Sequence, residues 1–417
     1  MVFAANMVSM LGSGLNAAAV TWHILQATKS EMNLAYLVVL QTIPAMLLLP
    51  FSGVIIDRED RRRLVMLLDA GRGAVIAVVA VLALRHEVQL WHLYLMNTLV
   101  SLGFWMFWPT ITALIQELTP GSEFLHANTF LMAGVQGGWL IAGSIVGFLY
   151  NHIGLGGILL IDVCTYIASF LLYFAVRKGR HVVARPHSTL ERVKGMRGAV
   201  AHYIHDLKEG LHYIRLRPDV LMLGCSWSLF LGAMLTQNIT TAPLSDRVLN
   251  AGAVGYGWLN GAWGTGAFLS ALYAPRLIAK LSGRKAVGIA MAVLALGMFL
   301  APHSRLLIIA AAIFLLMGSA RGVGGIAISS SIMELVSGHL MGRVQNTFFF
   351  FGMLLQLFLG VLVGLAAHQW SLTAAFAMIA TVYLIASALT AVPVPRGIEQ
   401  PVGATSQPLP HNPAEAD

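Results

Sequence analysis

Twelve runs of roughly 20 apolar residues, parted by short polar connections, constrain this chain more than any other feature. Each is long enough to cross the hydrocarbon of a bilayer, where every backbone N–H and C=O must find its partner inside the chain, so each is expected to be a helix. The spans read from the sequence are 2–25, 33–56, 65–84, 90–114, 126–150 and 154–176, then 220–243, 254–278, 286–301, 305–333, 345–367 and 372–392. With 57% hydrophobic and 11% charged residues, a water-soluble domain would have too little interior to hide this much apolar surface. The lipid bilayer is therefore the expected solvent. Short connections make neighbouring spans antiparallel. The first span opens at Met1 without a basic leader and carries Asn6, Asn16 and His23, so it reads as a retained span and not a cleaved signal.

The formal charge of +8 is distributed unevenly. One alternating set of connections holds Arg58, Arg61, Arg62, Arg63, the basic stretch from Arg177 to Arg217, Arg276, Lys280, Arg284, Lys285, Arg343 and Arg396. The other set holds Lys29, Arg85, Arg247 and Arg305. Basic residues accumulate on the cytoplasmic side of membrane proteins, so both termini are expected in the cytoplasm, at a bacterial inner membrane. The excess positive charge answers anionic headgroups, and no nucleic-acid partner is expected.

The sequence repeats itself. Glu117-Leu118 returns as Glu334-Leu335, and Asn128-Thr129-Phe130 as Asn346-Thr347-Phe348, at nearly constant offset and in equivalent topological places. This indicates a duplicated six-helix unit. The expected organisation is an N-terminal bundle (1–176), a basic cytoplasmic linker (177–218), a C-terminal bundle (219–392) and a Pro-rich, disordered tail (393–417). Within the linker, Ile204, Leu207, Leu211 and Ile214 recur at helical spacing. This predicts an amphipathic surface helix that stops at Pro218.

The connection after the second span reads Gly53-Val54-Ile55-Ile56-Asp57-Arg58-Glu59-Asp60-Arg61-Arg62-Arg63. Asp57 stands at a helix C-terminus, where its own dipole disfavours an anion, so it needs positive potential from a neighbour. Gly53 has no side chain and lets a second helix approach closely. This stretch resembles the signature loop of the major facilitator superfamily. Together with Leu40–Asp69 and Asp206–Pro218, it resembles the enterobactin-exporter-like and macrolide-efflux-like branch. The resemblance implies an all-α membrane fold of two six-helix bundles related by a pseudo-two-fold axis. It implies that Gly53 and Asp57, with Arg58, Arg61, Arg62 and Arg63 beside them, form a conformational latch between the halves, the arginines lying among the headgroups. Two departures weaken the pattern. Asp60 stands where many members have Gly, and the matching loop of the second half, Pro275–Ala286, has no acid. The fifth span carries Gly143, Ser144 and Gly147 but lacks the Pro and final Gly of the antiporter pattern.

Ionisable groups inside spans are costly and are functional candidates by default. Arg321 lies in the tenth span, which in the resembled family lines the central cavity with the first, fourth and seventh. It reads as a ligand for an anionic cargo or as the partner of an intramembrane acid. Asp69 and Arg72, three apart, read as a local ion pair bracing the Arg58–Arg63 loop. Asp162 reads as a lone carboxylate in apolar surroundings and a proton-coupling candidate. Glu117 and Glu334 are expected to partner loops or the opposite half. Asn16, Gln41, Trp105, Trp108, Gln237, Asn238, Trp263 and Gln356 are cavity candidates, against the plainer reading of amides as helix–helix glue. Trp22, Trp91, Tyr94 and Trp370 read as interface anchors.

Cys164 and Cys225 lie in apolar runs and match no disulfide or metal pattern. Five histidines fall between His181 and His212, with no ligand set completed by an acid, so neither a metal site nor a cofactor is expected. A GxxxxGK loop is missing, as is any Ser-His-Asp or metallohydrolase spacing, so no catalytic residues are expected and the chain reads as a non-enzyme. The expected function is secondary-active, proton-coupled export (antiport) of a small organic molecule, a siderophore, macrolide or other drug, by a monomer. The alternatives are a lysophospholipid translocator of the same fold and a non-transporting scaffold or sensor.

Overall fold

The computed structural model describes residues 1–119, 123–176, 195–336 and 338–393. Side chains at 53, 54, 57, 58, 124–126, 128, 129, 132, 133, 195–197, 338 and 339 are outside the description. The linker stretch 177–194 and all but the first residue of the expected disordered tail lie outside the described residues, as do, at side-chain level, Gly53, Val54, Asp57 and Arg58 of the Gly53–Arg63 motif.

Among the described residues the chain is helical, with no strand. The elements are α1 (Val2–Thr28), α2 (Glu31–Arg58), α3 (Arg61–Leu84), α4 (Leu90–Leu118), α5 (Phe124–Ala175), α6 (Gly195–Leu216), α7 (Pro218–Thr236), α8 (Asn238–Pro243), α9 (Gly252–Leu281), α10 (Gly283–Leu300), α11 (Leu307–Leu335), α12 (Gly338–Leu365) and α13 (Leu372–Ala391). Ten described segments are long and apolar enough to cross a membrane. Large apolar side chains such as Leu67, Leu272 and Ile308 face outward, where acyl chains accept them and water would not.

Two elements depart from the sequence reading. The expected fifth and sixth spans follow one another within a single helical element, α5, but the chain reverses inside it. Gly154 has φ 64° and ψ −171°, a backbone region that essentially only glycine occupies. Before it, Gly138 packs on Leu11, Ala142 near Gly14, and Tyr150 on His23, so this arm runs parallel to α1. After it, Asp162 meets Asn16 and Thr165 meets Gly12, so the second arm runs back. The other departure is α9, absent from the ten apolar segments. Its low apolarity has a packing cause: Gly257, Gly261 and Gly264 lie against the first arm of α5, and Gly266 against α11. Helix neighbours, not lipid, take up much of its surface.

The ends of the helices are tied by side chains. Asp60, the residue that departs from the family pattern, is the N-cap of α3 and accepts from the Arg62 and Arg63 amides at 3.0 and 3.1 Å. Arg62 then donates to the last-turn carbonyls of α5, Tyr173 at 2.8 Å and Phe174. Arg284, at the start of α10, donates in the same way to Thr390 at 2.7 Å and to Val392 at the end of α13. The two halves thus repeat a cation clamped on helix C-termini, where the dipole favours positive charge. The predicted amphipathic helix is α6. It docks on α12 through Arg343, which donates to Asp206 at 3.1 Å and Glu209 at 2.6 Å, and through Gly210, which leaves room for the Arg343 carbonyl.

Candidate functional site

The N-terminal half buries a polar network between α1, α3, α4 and the second arm of α5. Asp69 and Asp162 are 0% exposed and Arg72 is 2% exposed. Arg72 donates to Asp69, whose other oxygen accepts from Ser169 at 2.6 Å. The Arg72 guanidinium lies between two rings, 4.5 Å from the centroid of Phe107 and 4.7 Å from that of Tyr166. Asp162 accepts from Asn16 at 2.8 Å and from Thr165 at 3.3 Å, and Tyr166 shares a 3.0 Å hydrogen bond with Ser13. The expected Asp69–Arg72 ion pair forms, and Ser169, Phe107 and Tyr166 draw it into the bundle; among the described residues no hydrogen bond or ion pair ties it to Arg61, Arg62 or Arg63 of the loop it was expected to brace. Asp162 is not a lone carboxylate, because Asn16, 146 positions earlier, is turned onto it.

The C-terminal half carries the opposite balance. Arg321 on α11 donates to the Met234 sulfur of α7 at 3.1 Å, and Tyr383 of α13 lies in its neighbourhood. Among the described residues no carboxylate pairs with Arg321. Tyr383 is fully buried with its hydroxyl unpartnered, and the Gln237 Oε1, at the break between α7 and α8, is also buried without a partner. Asn238 is exposed. Tyr383 was missed by the sequence reading, although it sits at the same repeat offset as Tyr166.

Between the halves, Trp105 of α4 meets Phe349 of α12 edge-on with centroids 5.3 Å apart. Gln356 donates to Thr42 of α2 at 2.8 Å and so joins the halves. Gln41 bonds Asn97 within the N-terminal half, Trp108 packs in that half's core, and Trp263 packs edge-on to Phe314 within the C-terminal half. Among the described residues these last three find their partners within a single half. Two surface hollows, one on α11 along Ile308–Leu316 and one of about 340 Å³ near Phe3, Ile115 and Val176, contain none of the cavity candidates.

The halves are joined mainly toward the end that carries the α1–α2 turn. Trp22, expected as an interface anchor, is buried and stacks on Tyr256 at 5.6 Å. The reason is that Tyr256 brings a matching ring from the opposite half. Gln26 donates to Asp246 at 2.8 Å, Lys29 reaches Asp246 at 3.5 Å, and Arg247 pairs with Glu31 at 2.5 Å. His368 stands 4.0 Å from the same Glu31. Beneath this cluster, Gly143 and Gly147 receive Asn260, Ala253 and Val254 of α9, and Gly364 receives Ala35.

At the opposite end, Arg61 reaches the Ala113 carbonyl at 3.2 Å and Glu117 at 3.6 Å, while Arg63 is exposed and Glu334 is exposed. Arg61 and Arg62 are therefore turned onto protein carbonyls and a carboxylate, not free among headgroups. The side chains of Gly53, Asp57 and Arg58 lie outside the described residues. On α6, His205, Asp206 and Glu209 offer ligand atoms within 4.8 Å of one another. Acids one turn on thus approach the histidines, contrary to the sequence reading. Both carboxylates, however, are already held by Arg343.

The family model of the Major Facilitator Superfamily matches residues 2–246. The chain belongs to the major facilitator superfamily. Its relatives include macrolide efflux protein A of Streptococcus pyogenes, 23% identical over 60% of this chain, and the multidrug efflux pump Tap of Mycolicibacterium fortuitum, 23% identical over 80% of each chain. The match spans 59% of the length of the first of these. Among solved structures, a bacterial homologue of ferroportin in an inward-facing state superposes with a TM-score of 0.71 at 14% identity, covering 93% of this chain and 96% of that one. The nucleoside transporter NupG superposes with a TM-score of 0.68 at 13% identity, covering 94% and 97%. At such identity these likenesses show the fold alone. The chain is thus a multi-pass membrane protein of a transporter superfamily.

Proposed function

We propose that this chain is a proton-driven exporter of a small organic molecule, working by alternating access between residues 1–176 and 219–392. Both arms of α5 and α9 cross the membrane with the ten apolar segments' remaining members, giving twelve spans in a bacterial inner membrane with both termini cytoplasmic. The protein acts as a monomer. The export direction is supported by relatives named for efflux of macrolides and of multiple drugs. Under the positive-inside orientation, the joined end of the halves faces away from the cytoplasm, so cargo loads from the cytoplasmic side.

The observation that carries the cargo reading is Arg321, a guanidinium in the helix bundle without a carboxylate partner among the described residues. A charge kept in such a place is costly unless a ligand completes it. The cargo therefore carries an anionic or strongly accepting group for Arg321, and an apolar body for the Trp105–Phe349 contact between the halves. Opening the joined end requires Glu31–Arg247, Gln26–Asp246 and Trp22–Tyr256 to part. The Gly53–Arg63 loop then serves as the latch at the other end.

The deciding experiment measures accumulation of catecholate siderophores, macrolides, lipophilic cations and lysophospholipids in an efflux-deficient bacterial host. Wild type and Asp57→Asn are compared at matched membrane levels, with and without a protonophore. Lower accumulation with wild type alone, reversed by the protonophore, is expected for a compound bearing an anionic group. Selective movement of lysophospholipid identifies a lipid translocator instead. Full activity of Asp57→Asn ends the latch role.

A further inference from the structure

The ionisable groups of the buried network between α1, α3, α4 and the second arm of α5 do not cancel. From α3 come Asp69 and Arg72, and from the second arm of α5 come Asp162 and the phenol of Tyr166. The facing residues of α1, Ser13 and Asn16, are neutral, and α4 contributes the ring of Phe107 and the bare Cα of Gly103. Full ionisation therefore places two carboxylates against one guanidinium. An uncompensated carboxylate in a low-dielectric interior is strongly disfavoured, and binding a proton removes that cost.

The geometry identifies which carboxylate takes the proton and what it binds. Asp69 is committed on both oxygens, one to Arg72 and one to the Ser169 hydroxyl. Asp162 has only neutral donors, the Asn16 amide at 2.8 Å and the Thr165 hydroxyl at 3.3 Å. Both turn hydrogens, not oxygens, toward it, which suits the ionised carboxylate and offers no oxygen ligands to a metal cation. When Asp162 gains a proton it becomes a donor, and the Asn16 amide can answer by presenting its carbonyl oxygen. Asn16 lies on α1, the helix whose other end stacks Trp22 on Tyr256 and ties Gln26 to Asp246 of the opposite half. A change at Asp162 thus bears directly on a helix that joins the halves.

We propose that Asp162 is the proton-binding site of this transporter, taking up and releasing a single proton as the Asn16 amide turns between donor and acceptor, with Arg72–Asp69 as the fixed ion pair beside it. This rests on the proton-driven reading above and names its site.

The test needs no cargo. Purified full-length protein in detergent is compared by infrared difference spectroscopy between acidic and alkaline buffers. A protonated-carboxyl stretch is expected to rise on acidification in wild type, to be missing in Asp162→Asn, and to shift but persist in Asp162→Glu. The proposal is overturned by the same band in Asp162→Asn, or by a band indifferent to pH. If Asp162→Asn does not elute as folded protein, Asp162→Glu decides, and an unshifted band overturns the assignment. The two readings separate cleanly. Protonophore-insensitive efflux with the band present ends proton-driven export and leaves the site. Protonophore-sensitive efflux without the band ends this assignment alone.

Discussion

Single residues in this chain are defined by the partners that folding gives them, and Arg321 by having no carboxylate partner among the described residues. Arg72 has a carboxylate and two rings, whereas Arg321 has a thioether and the vicinity of a buried tyrosine. A charged hydrogen bond contributes about 1.5–3 kcal/mol, so Arg321→Ala is expected to weaken an anionic cargo roughly tenfold or more. Neutral cargo should change by no more than about twofold, a surface-substitution-sized effect. Arg321→Lys should fall between, since it keeps the charge and loses the planar fork. The check is a concentration series of efflux for one anionic and one neutral compound, and equal loss for both removes Arg321 as a ligand. The identity of Arg321 as a candidate was legible from its place in an apolar run. The partners of Asp162 were not, because Asn16 is remote in sequence and only the reversal of α5 brings the two together. Asp60 was legible and overlooked: an acid directly before a helical run is an N-cap signal, and the resemblance drew attention instead to the Gly it replaces.

At the scale of elements, hydrophobic run length was enough to find the helices, because lipid leaves the backbone no other way to satisfy its hydrogen bonds. Run length says nothing about which helices touch. The stretch 151–153 reads as a short connection, yet the chain stays helical through it and makes its turn at one glycine. Gly154 at φ 64° and ψ −171° occupies a region that costs other residues about 1–3 kcal/mol. An added Cβ at Gly154 meets no neighbour, so the effect of Gly154→Ala is backbone strain alone. The expected outcome is a lower midpoint of thermal unfolding, read from the soluble fraction in detergent by size-exclusion chromatography. The nearby Gly157, which has ordinary helical φ, serves as the comparison, with its Cβ crowded by Ile153 at 2.6 Å. An unchanged midpoint for Gly154→Ala would mean that the turn relaxes to another geometry without cost.

The whole molecule is a pair of bundles with unequal internal charge: an excess carboxylate in one, an excess guanidinium in the other, and a joined end between them. Of the charges of that end, Lys29 and Arg247 read in sequence only as topology markers, because positive-inside counting asks nothing more of them, and Glu31 and Asp246 carried no signal in it. Packing gives them a second role. Glu31 is 1% exposed and is held by Arg247, whose own side chain is 42% exposed. Breaking a fully buried pair costs about 3–5 kcal/mol, but the exposure of Arg247 reduces that, and a shift of ~1.4 kcal/mol, roughly tenfold in the closed-to-open ratio, is the expected scale for Arg247→Ala. Gly147→Val acts on the same equilibrium without touching a charge, since a Cβ at Gly147 runs into the backbone of Ala253 and Val254, the Val254 Cα lying 2.8 Å away. Spin labels at Ser30 and Asn250, on the turns that bring the halves together, report the ratio directly, with Cys164 and Cys225 first replaced. Both variants should move the distance distribution to longer values, Arg247→Ala less at high salt because screening already weakens its pair with Glu31. A distribution unchanged by Arg247→Ala but lengthened by Gly147→Val would assign closure to helix packing alone. Unchanged distributions in both would mean that the joined end is not the moving gate, and alternating access would then have to be sought at the Arg61–Glu117 end.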